Sequence, residues 1–247
     1  MASEQSRDPE FYVTHEPDPG RTLVIAFSQF GLAGLTALDF LVDHLDLEET
    51  GHITAEQLPS ITPFSDGEPR HHTRLYSRPE FDFTYLVGEL FVPVFAAAPF
   101  SRAILSWTDQ NAIEEIVVLS GIPIAHGPDE HGTFYIATED YRERRLSDTD
   151  LPPMGSGFLD GVNAALIERG MDTDLAVGLY ATPVHSQVPD VDAALRLLDT
   201  LTAVYDLDVD TAPLENFAEE IERHYQELSE RITSADRRVV PEDRMFM

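Results

Sequence analysis

The sequence predicts a three-layer α/β/α protein in which helices cover both faces of a largely parallel central sheet. Short apolar runs of strand length alternate along the chain with longer segments whose apolar residues recur at helical spacing. Strands that alternate with helices favour βαβ units, which form parallel sheets covered on both faces. The 247 residues suit one such domain, which we place at residues 1–233 with its C-terminal helix, followed by an extended tail at residues 234–247.

The predicted elements follow one another in a regular order. The strands are predicted at residues 23–27, 53–58, 73–77, 83–90, 115–120, 133–138 and 174–182. The helices are predicted at residues 32–47, 101–112, 158–168, 191–205 and 214–232. Gly170 follows the third helix, in the position that a C-terminal glycine cap takes. In the fourth helix Ala194, Leu197, Leu198 and Leu201 share one apolar face.

The chain is strongly acidic. It carries 45 Asp and Glu residues against 16 basic residues, all of them Arg, which gives a formal net charge of -29. At about 1 M salt the Debye length falls to roughly 3 Å, so such a surface repels itself far less than in dilute buffer. The hydrophobic content of 43% is too high for a disordered acidic chain. We therefore expect a globular halophilic protein, and the negative charge argues against nucleic acid and anionic membranes as partners.

Features of export and membrane insertion are missing from the sequence. Residues 1–9 lack the apolar run of a signal peptide, and no apolar stretch approaches the ~18 residues that span a bilayer. The absence of cysteine excludes disulfides and thiolate chemistry. We expect a soluble, cytoplasmic protein.

The nine histidines do not form a metal-binding pattern. His71 and His72 are adjacent, so on a strand they would point to opposite faces. His126 and His131 lie in a Gly/Pro-rich loop without a second ligand cluster nearby in the sequence. We expect no metal ion and no cofactor.

The segment Gly155, Ser156 and Gly157 precedes a predicted helix and could offer backbone N–H groups to a phosphate. It lacks the Lys of a P-loop and the third glycine of the dinucleotide fingerprint, so a tight turn explains it more simply. An enzymatic alternative stays open, a ligase or hydrolase acting at the carboxyl edge of the sheet. Its pocket would be lined by Ser28, Ser120, Gly155 and Ser156, although these residues include no base that would activate a serine.

The last three residues, Met245, Phe246 and Met247, form an apolar cluster at the end of a polar segment. Burying Phe246 and a neighbouring Met would contribute about 1.5 to 3 kcal/mol each, and the terminal carboxylate adds a charged group. The cluster is therefore a candidate protein-binding element. The alternative is that the end of the chain folds back onto its own domain.

Four blocks of the sequence resemble the proteasome assembly chaperone 2 family, over about residues 10–232. They are FYVTHEPDPGRTLVIAFSQFGLAGLTALDFLVDHL, WTDQNAIEEIVVLSGI, GSGFLDGVNAALIERGMDTDLAVGLYATPVH and LENFAEEIERHYQEL. The resemblance implies a three-layer fold similar to that of nucleoside phosphorylases, homo-oligomers as in prokaryotic members, and a binding protein rather than an enzyme. With the acidic composition, it indicates a haloarchaeal member.

Members of that family that act on the proteasome end in a hydrophobic residue, a tyrosine and any residue, which insert between α subunits of the core particle. Met245 matches the hydrophobic position, Phe246 stands in place of the tyrosine, and Met247 is the final residue. Phe246 keeps the aromatic ring and loses the hydroxyl, which removes a hydrogen bond of about 0.5 to 1.5 kcal/mol. The resemblance therefore implies that proteasome α subunits are the partner, and an assembly factor for another complex is the remaining alternative.

Overall fold

The computed structural model describes residues 9–16, 18–124, 127, 131–185, 189–216 and 218. Within these residues the strands are β1 Glu10–His15, β2 Thr22–Phe27, β3 Glu48–Glu56, β4 Phe64–Ser65, β5 Glu68–Pro69, β6 Thr73–Ser77, β7 Phe83–Gly88, β8 Glu115–Ile122, β9 Phe134–Ala137 and β10 Ala176–Pro183. The α-helices of the same part are α1 Ala33–His44, α2 Val94–Gln110, α3 Glu139–Tyr141, α4 Gly161–Asp172 and α5 Val191–Tyr205.

Eight of these strands form one sheet in the described part of the chain, in the order β1-β3-β6-β7-β2-β8-β10-β9. The four central strands β7, β2, β8 and β10 run parallel to one another. The outer strands pair antiparallel. The predicted α/β fold is confirmed, and the sheet is mixed because its outer strands pair antiparallel with their neighbours. The link between β6 and β7 is far shorter than the dozen or more residues that a parallel crossover needs.

Helices cover both faces of the central strands. On one face Leu23 and Ile25 of β2 join a core cluster with Phe100 of α2 and Leu166 of α4. Successive residues of a strand point to opposite faces, so Val24 faces the other layer, where α1 and α5 pack against each other and on the sheet. Every residue of β2 is buried, as expected for a parallel strand covered on both sides.

Helix α5 has the bounds that the apolar spacing predicts. Its residues Ala194, Leu197, Leu198 and Leu201 are all fully buried, which confirms the predicted apolar face. Asp190 caps the helix, because its carboxylate accepts a hydrogen bond from the backbone N–H of Ala193 at 2.9 Å.

Several predicted helix ends are wrong: α1 ends at His44 instead of residue 47, and α4 begins at Gly161 instead of residue 158. Helix α2 begins at Val94, seven residues before the predicted start at Ser101, and contains Pro99 in its first two turns. Helix α4 continues through Gly170 to Asp172, so this glycine is not a C-cap. A Cβ on Gly170 would lie 2.6 Å from Cγ2 of Val177, so glycine is needed there for close packing of the helix on β10.

The chain divides into two compact units, Met1–Val209 and Asp210–Met247. The first contains the sheet and its helices. In the second, the described residues include a helical segment at 212–216 within the predicted last helix. The rest of that helix and the predicted boundary at residue 233 lie outside the described residues and stay predictions. Among the described helices, none combines the length and the apolar character required to span a membrane.

Candidate functional site

A cavity of about 720 Å³ opens beyond the carboxyl ends of β2, β7 and β8. Its walls come from the segments that follow these strands and from the start of α4. The chain leaves β2 towards α1 on one face of the sheet and leaves β7 towards α2 on the other. Two neighbouring strands whose connections leave on opposite faces of the sheet have a crevice between those connections. Open α/β sheets bind ligands in such crevices.

The floor of the cavity is formed by three polar side chains. Ser120, at the end of β8, donates a hydrogen bond from Oγ to Oε1 of Gln29 at 2.8 Å. Asn163, in the first turn of α4, donates from Nδ2 to the same oxygen at 3.4 Å. Ser120 is 4% exposed and Asn163 is 6% exposed, so both belong to the interior. The Oδ1 atom of Asn163 has no hydrogen-bond partner in the described part of the chain.

Three helices begin at the cavity. Leu32 precedes α1, Val94 is the first residue of α2, and Asp160 precedes α4; all three residues line the cavity. None of these helices has a side-chain N-cap, and the Asp160 carboxylate makes no capping hydrogen bond. The first backbone N–H groups of a helix have no partner within it, so these ends supply hydrogen-bond donors.

The loop between β2 and α1 is held in an unusual backbone conformation. Gly31 has φ 67° and Leu32 has φ 50°, both in the left-handed region. A Cβ on Gly31 would lie 2.8 Å from Cβ of Val184, so only glycine fits there. The left-handed conformation is unfavourable for Leu32, because its side chain crowds the backbone there. Residues held in unfavourable backbone conformations occur preferentially at ligand-binding sites.

Large apolar side chains surround the mouth of the cavity. Phe30, Phe91, Val94 and Phe158, here called the rim cluster, line the cavity and are all more than half exposed. Single exposed apolar residues are common, whereas four of them around one cavity form a candidate interaction site.

The structure places the predicted pocket residues in two different environments. Ser28 and Ser120 line the cavity. Gly155 and Ser156 are exposed and are not part of its lining, and no atom lies within 4 Å of a Cβ built on Gly155. The predicted binding residues Met245, Phe246 and Met247 lie outside the described residues.

Gln29 and Asn163 are not among the pocket residues that the sequence predicts. They are separated by 134 residues in the chain, and nothing in the sequence shows that their amides meet. Their positions are the signal that the sequence offers. Gln29 follows the buried strand β2, and Asn163 lies in the first turn of α4. In parallel α/β sheets the segments that follow strands and the starts of helices lie at the same edge of the sheet.

Among the described residues of the cavity, no base is placed to activate a serine. The Ser120 hydroxyl donates to an amide oxygen, which does not act as a general base. Among the described residues that line the cavity, Asp160 alone is ionisable. Elsewhere, the ring of His71 stacks on that of His52, with ring centroids 3.7 Å apart. The ring centroids of His131 and His185 lie 6.2 Å apart. His126 lies outside the described residues. Within the described part, no three His, Asp or Glu residues form a group that could hold a metal ion.

The fold is a three-layer α/β/α sandwich with a largely apolar cleft at the carboxyl edge of its parallel strands. The chain belongs to the PAC2 family, whose family model matches residues 23–229. No curated protein sequence matches it significantly.

Solved structures of three proteins with 16–21% sequence identity share this fold. PbaA of Pyrococcus furiosus, an archaeal homolog of proteasome-assembly chaperone, is 21% identical with a TM-score of 0.81, covering 92% of this chain and 95% of that one. PbaB of the same organism, an archaeal proteasome activator, is 16% identical with a TM-score of 0.74, covering 89% and 99%. A proteasome-assembly chaperone homologue of Mycobacterium tuberculosis is 17% identical with a TM-score of 0.60, covering 90% and 97%.

Proposed function

We propose that this chain is a proteasome-assembly chaperone-like protein that binds the α ring of the core particle through its C-terminal residues. The observation that carries the proposal is the PAC2 family match over residues 23–229. Two proteins of the same fold support it, since one is a homolog of proteasome-assembly chaperone and the other a proteasome activator.

The binding element is the C-terminal sequence Met245, Phe246 and Met247. Phe246 supplies an aromatic face and Met245 a flexible apolar side chain, both suited to a pocket between two α subunits. The terminal carboxylate pairs with a basic group that lines such a pocket. Because the chain carries a net charge of -29, apolar contact and this short-range ion pair contribute more than long-range attraction.

The protein acts as a homo-oligomer in this proposal. The rim cluster supports it, because Phe91 is 71% exposed and Phe158 is fully exposed in the isolated chain. Contact between copies would remove this apolar surface from water. Several C-terminal tails on one oligomer would bind a ring of α subunits with avidity, through a high effective concentration.

The acidic composition supports an archaeal cytoplasm rich in salt as the working environment. The 16 basic residues are all Arg, and 45 acidic residues supply a strongly hydrated surface. The enzymatic alternative has less support, because no side chain among the described lining residues is placed to activate Ser28 or Ser120.

Co-sedimentation with purified proteasome α subunits tests the proposal. The full chain is expected to sediment with the α subunits, and a version that ends at Arg244 is expected to remain behind while keeping its own oligomeric mass. Equal co-sedimentation of both versions would show that the last three residues do not carry the binding.

A further inference from the structure

We propose that strand β1 pairs antiparallel with β1 of a second copy of this chain, across a two-fold axis at Tyr12. The pairing joins the two sheets into one continuous sheet. It goes beyond the homo-oligomer of the proposed function, because it names a contact at the border of the sheet, three strands from β7, and not at the rim cluster. Its test uses the chain without proteasome subunits, so its failure would leave binding through the C-terminus untouched.

The two borders of the sheet differ in how their backbone groups are paired. At the β9 border the N–H of Tyr135 donates to the carbonyl oxygen of Pro152 at 3.0 Å, and the Tyr135 carbonyl oxygen accepts from the N–H of Met154 at 2.8 Å. At the other border, β1 pairs with β3 in unbroken register, and no other described strand pairs with it. Natural proteins protect an open strand edge with a proline, a bulge or a central charge. The residues between Glu10 and His15 contain none of these, so β1 is a template for a further strand.

The outward backbone groups of β1 belong to Phe11 and Val13. The N–H of Glu16, just after the strand, donates to the carbonyl oxygen of Thr50 at 2.9 Å, in the register of the β1–β3 pair. In an antiparallel pair, every second residue exchanges hydrogen bonds with the residue opposite, and the residues between them direct their N–H and C=O away. The even-numbered residues of β1 therefore bond to β3, and Phe11 and Val13 point their groups outward. Among the described residues, none outside the β1–β3 pair forms a backbone hydrogen bond with either of them.

An axis at Tyr12 brings these outward groups together. It places Phe11 of one copy opposite Val13 of the other, so each such pair exchanges the N–H···O=C bonds of a regular antiparallel ladder. Glu10 then lies opposite Thr14, and no two carboxylates face each other within the paired residues. This matters in a chain of net charge -29, since like charges directly opposite each other destabilise a sheet. The edge of β1 is therefore complementary to itself.

The neighbouring registers are less favourable. With the axis at Val13, Glu10 would face Glu16 of the second copy, which brings two carboxylates together. With the axis at Phe11, Val13 would face Pro9, which has no N–H to donate. An axis between two residues would join the exposed face of one sheet to the helix-covered face of the other. The register centred on Tyr12 avoids these conflicts.

The side chain of Tyr12 stands on the open face of β1. Its neighbour Phe11 packs edge-to-face on Phe100 of α2, with ring centroids 4.9 Å apart. Successive residues of a strand point to opposite faces, so the Tyr12 ring lies on the side away from α2, where it is 48% exposed. At the axis the two Tyr12 residues form a non-hydrogen-bonded pair, whose Cα atoms are about 4.5 Å apart and whose rings shield each other from water.

Disulfide cross-linking of a Tyr12→Cys variant tests the pairing in molar salt. The chain contains no cysteine, so each copy of the variant carries a single thiol. A Cα separation of about 4.5 Å lies within the range of a disulfide. We expect mild oxidation to give a covalent dimer on a non-reducing gel, roughly tenfold faster than for Thr14→Cys. That variant is the matched control, because its thiol lies on the same exposed face but sits opposite Glu10 of the second copy. Equal rates for the two variants, or no dimer from Tyr12→Cys, would overturn the proposal.

Removal of one outward N–H tests the backbone part of the pairing. In the Tyr12→Cys background, Val13→Pro removes an N–H that the β1–β3 pair does not use, and we expect it to slow cross-linking roughly tenfold. Val13→Thr keeps the N–H and is expected to cross-link as the Tyr12→Cys chain does. Equal rates for the two Val13 variants would contradict the pairing, and if Val13→Pro does not fold, the comparison with Thr14→Cys decides. Cross-linking that appears only after residues 2–8 are removed would show that the chain's own N-terminal residues occupy the edge, and would also overturn the proposal.

Discussion

Tyr205 donates a hydrogen bond from its hydroxyl to Oε1 of Glu115 at 2.6 Å, at the end of the sheet opposite to the cavity. Glu115 is 1% exposed, and Nε of Arg145 lies 3.0 Å from each of its carboxylate oxygens. The Tyr205 hydroxyl also forms a hydrogen bond with the Tyr141 hydroxyl, and the Tyr141 hydroxyl forms another with the Tyr180 hydroxyl. Burial, with the neighbouring Glu115 carboxylate, raises the pKa of Tyr205 well above its usual value. The network therefore fixes α5 to the start of β8 and leaves the other end of the sheet for binding.

Glu115→Gln is expected to lower the free energy of unfolding by about 3 kcal/mol. The substitution leaves Arg145 facing a neutral side chain, and breaking one half of a buried ion pair typically costs about 3 to 5 kcal/mol. Urea unfolding measures the change. Glu114→Gln is the matched control: its carboxylate pairs with Arg21 on the surface, with 55% of the side chain exposed, and less than about 1 kcal/mol is expected. Similar losses for the two variants would contradict the role assigned to the buried network.

Asp39→Asn is expected to stabilise the protein at neutral pH. Burial raises the pKa of Asp39 to about 6, and the nearby Arg74 only partly opposes this effect. The folded state thus holds the proton of Asp39 more tightly than the unfolded chain does. The free energy of unfolding therefore falls as the pH rises from about 4 to about 6, and the loss of stability is complete above about pH 6. The rise of the Asp39 pKa from 3.8 to about 6 sets an upper limit of about 3 kcal/mol on the stability that the variant gains.

Unfolding of the Asp39→Asn variant at pH 4 and at pH 8 checks this sign. The variant should gain stability at pH 8 and approach the unmodified chain at pH 4. Asp43→Asn serves as the control, since Asp43 lies one turn further along α1 and is exposed. A loss of stability at pH 8 would show that the negative charge of Asp39 is used by the folded protein.

Phe158→Asp is expected to reduce the oligomeric mass measured by light scattering. Phe158 belongs to the rim cluster and is fully exposed, so a charge there would disfavour contact between copies without disturbing the core. Phe64→Asp is the control, because Phe64 is 74% exposed on the β4–β5 hairpin, outside the rim cluster. An unchanged mass for Phe158→Asp would place any contact between copies on another surface.

Dialysis into roughly 50 mM salt is expected to unfold the chain or to dissociate its oligomer. The Debye length grows from roughly 3 Å at 1 M salt to about 10 Å at 0.1 M, so more of the 45 acidic side chains repel one another. Circular dichroism and light scattering follow the change, with a sample kept in molar salt as the reference. Retention of the native spectrum and mass at low salt would contradict the argument from self-repulsion.

Strong periodicity made most of the fold predictable. Helix α5 has the predicted bounds because a single apolar face defines it, and strand β6 also has the predicted bounds. Strand β1, Glu10–His15, is not predicted, because its apolar run is only three residues long, Phe11 to Val13, and its other residues are polar. The start of α2 was placed too late, since Pro99 lies inside a helix that tertiary packing maintains.

The site was predictable only in part. Ser28 and Ser120 follow buried strands, and parallel strands end at the same edge, so their place in the cavity follows from the sequence pattern. Gly155 and Ser156 belong to a loop whose course no local pattern defines. The contact between Gln29 and Asn163 depends on how α4 packs against the sheet, which is a long-range property.

A cryo-electron microscopy map of the complex between this chain and the proteasome α ring is the most direct test of binding through the C-terminus. We expect density for Met245, Phe246 and Met247 in pockets between adjacent α subunits, with the Phe246 ring buried. Empty pockets in a complex held together through another surface of the chain would contradict it.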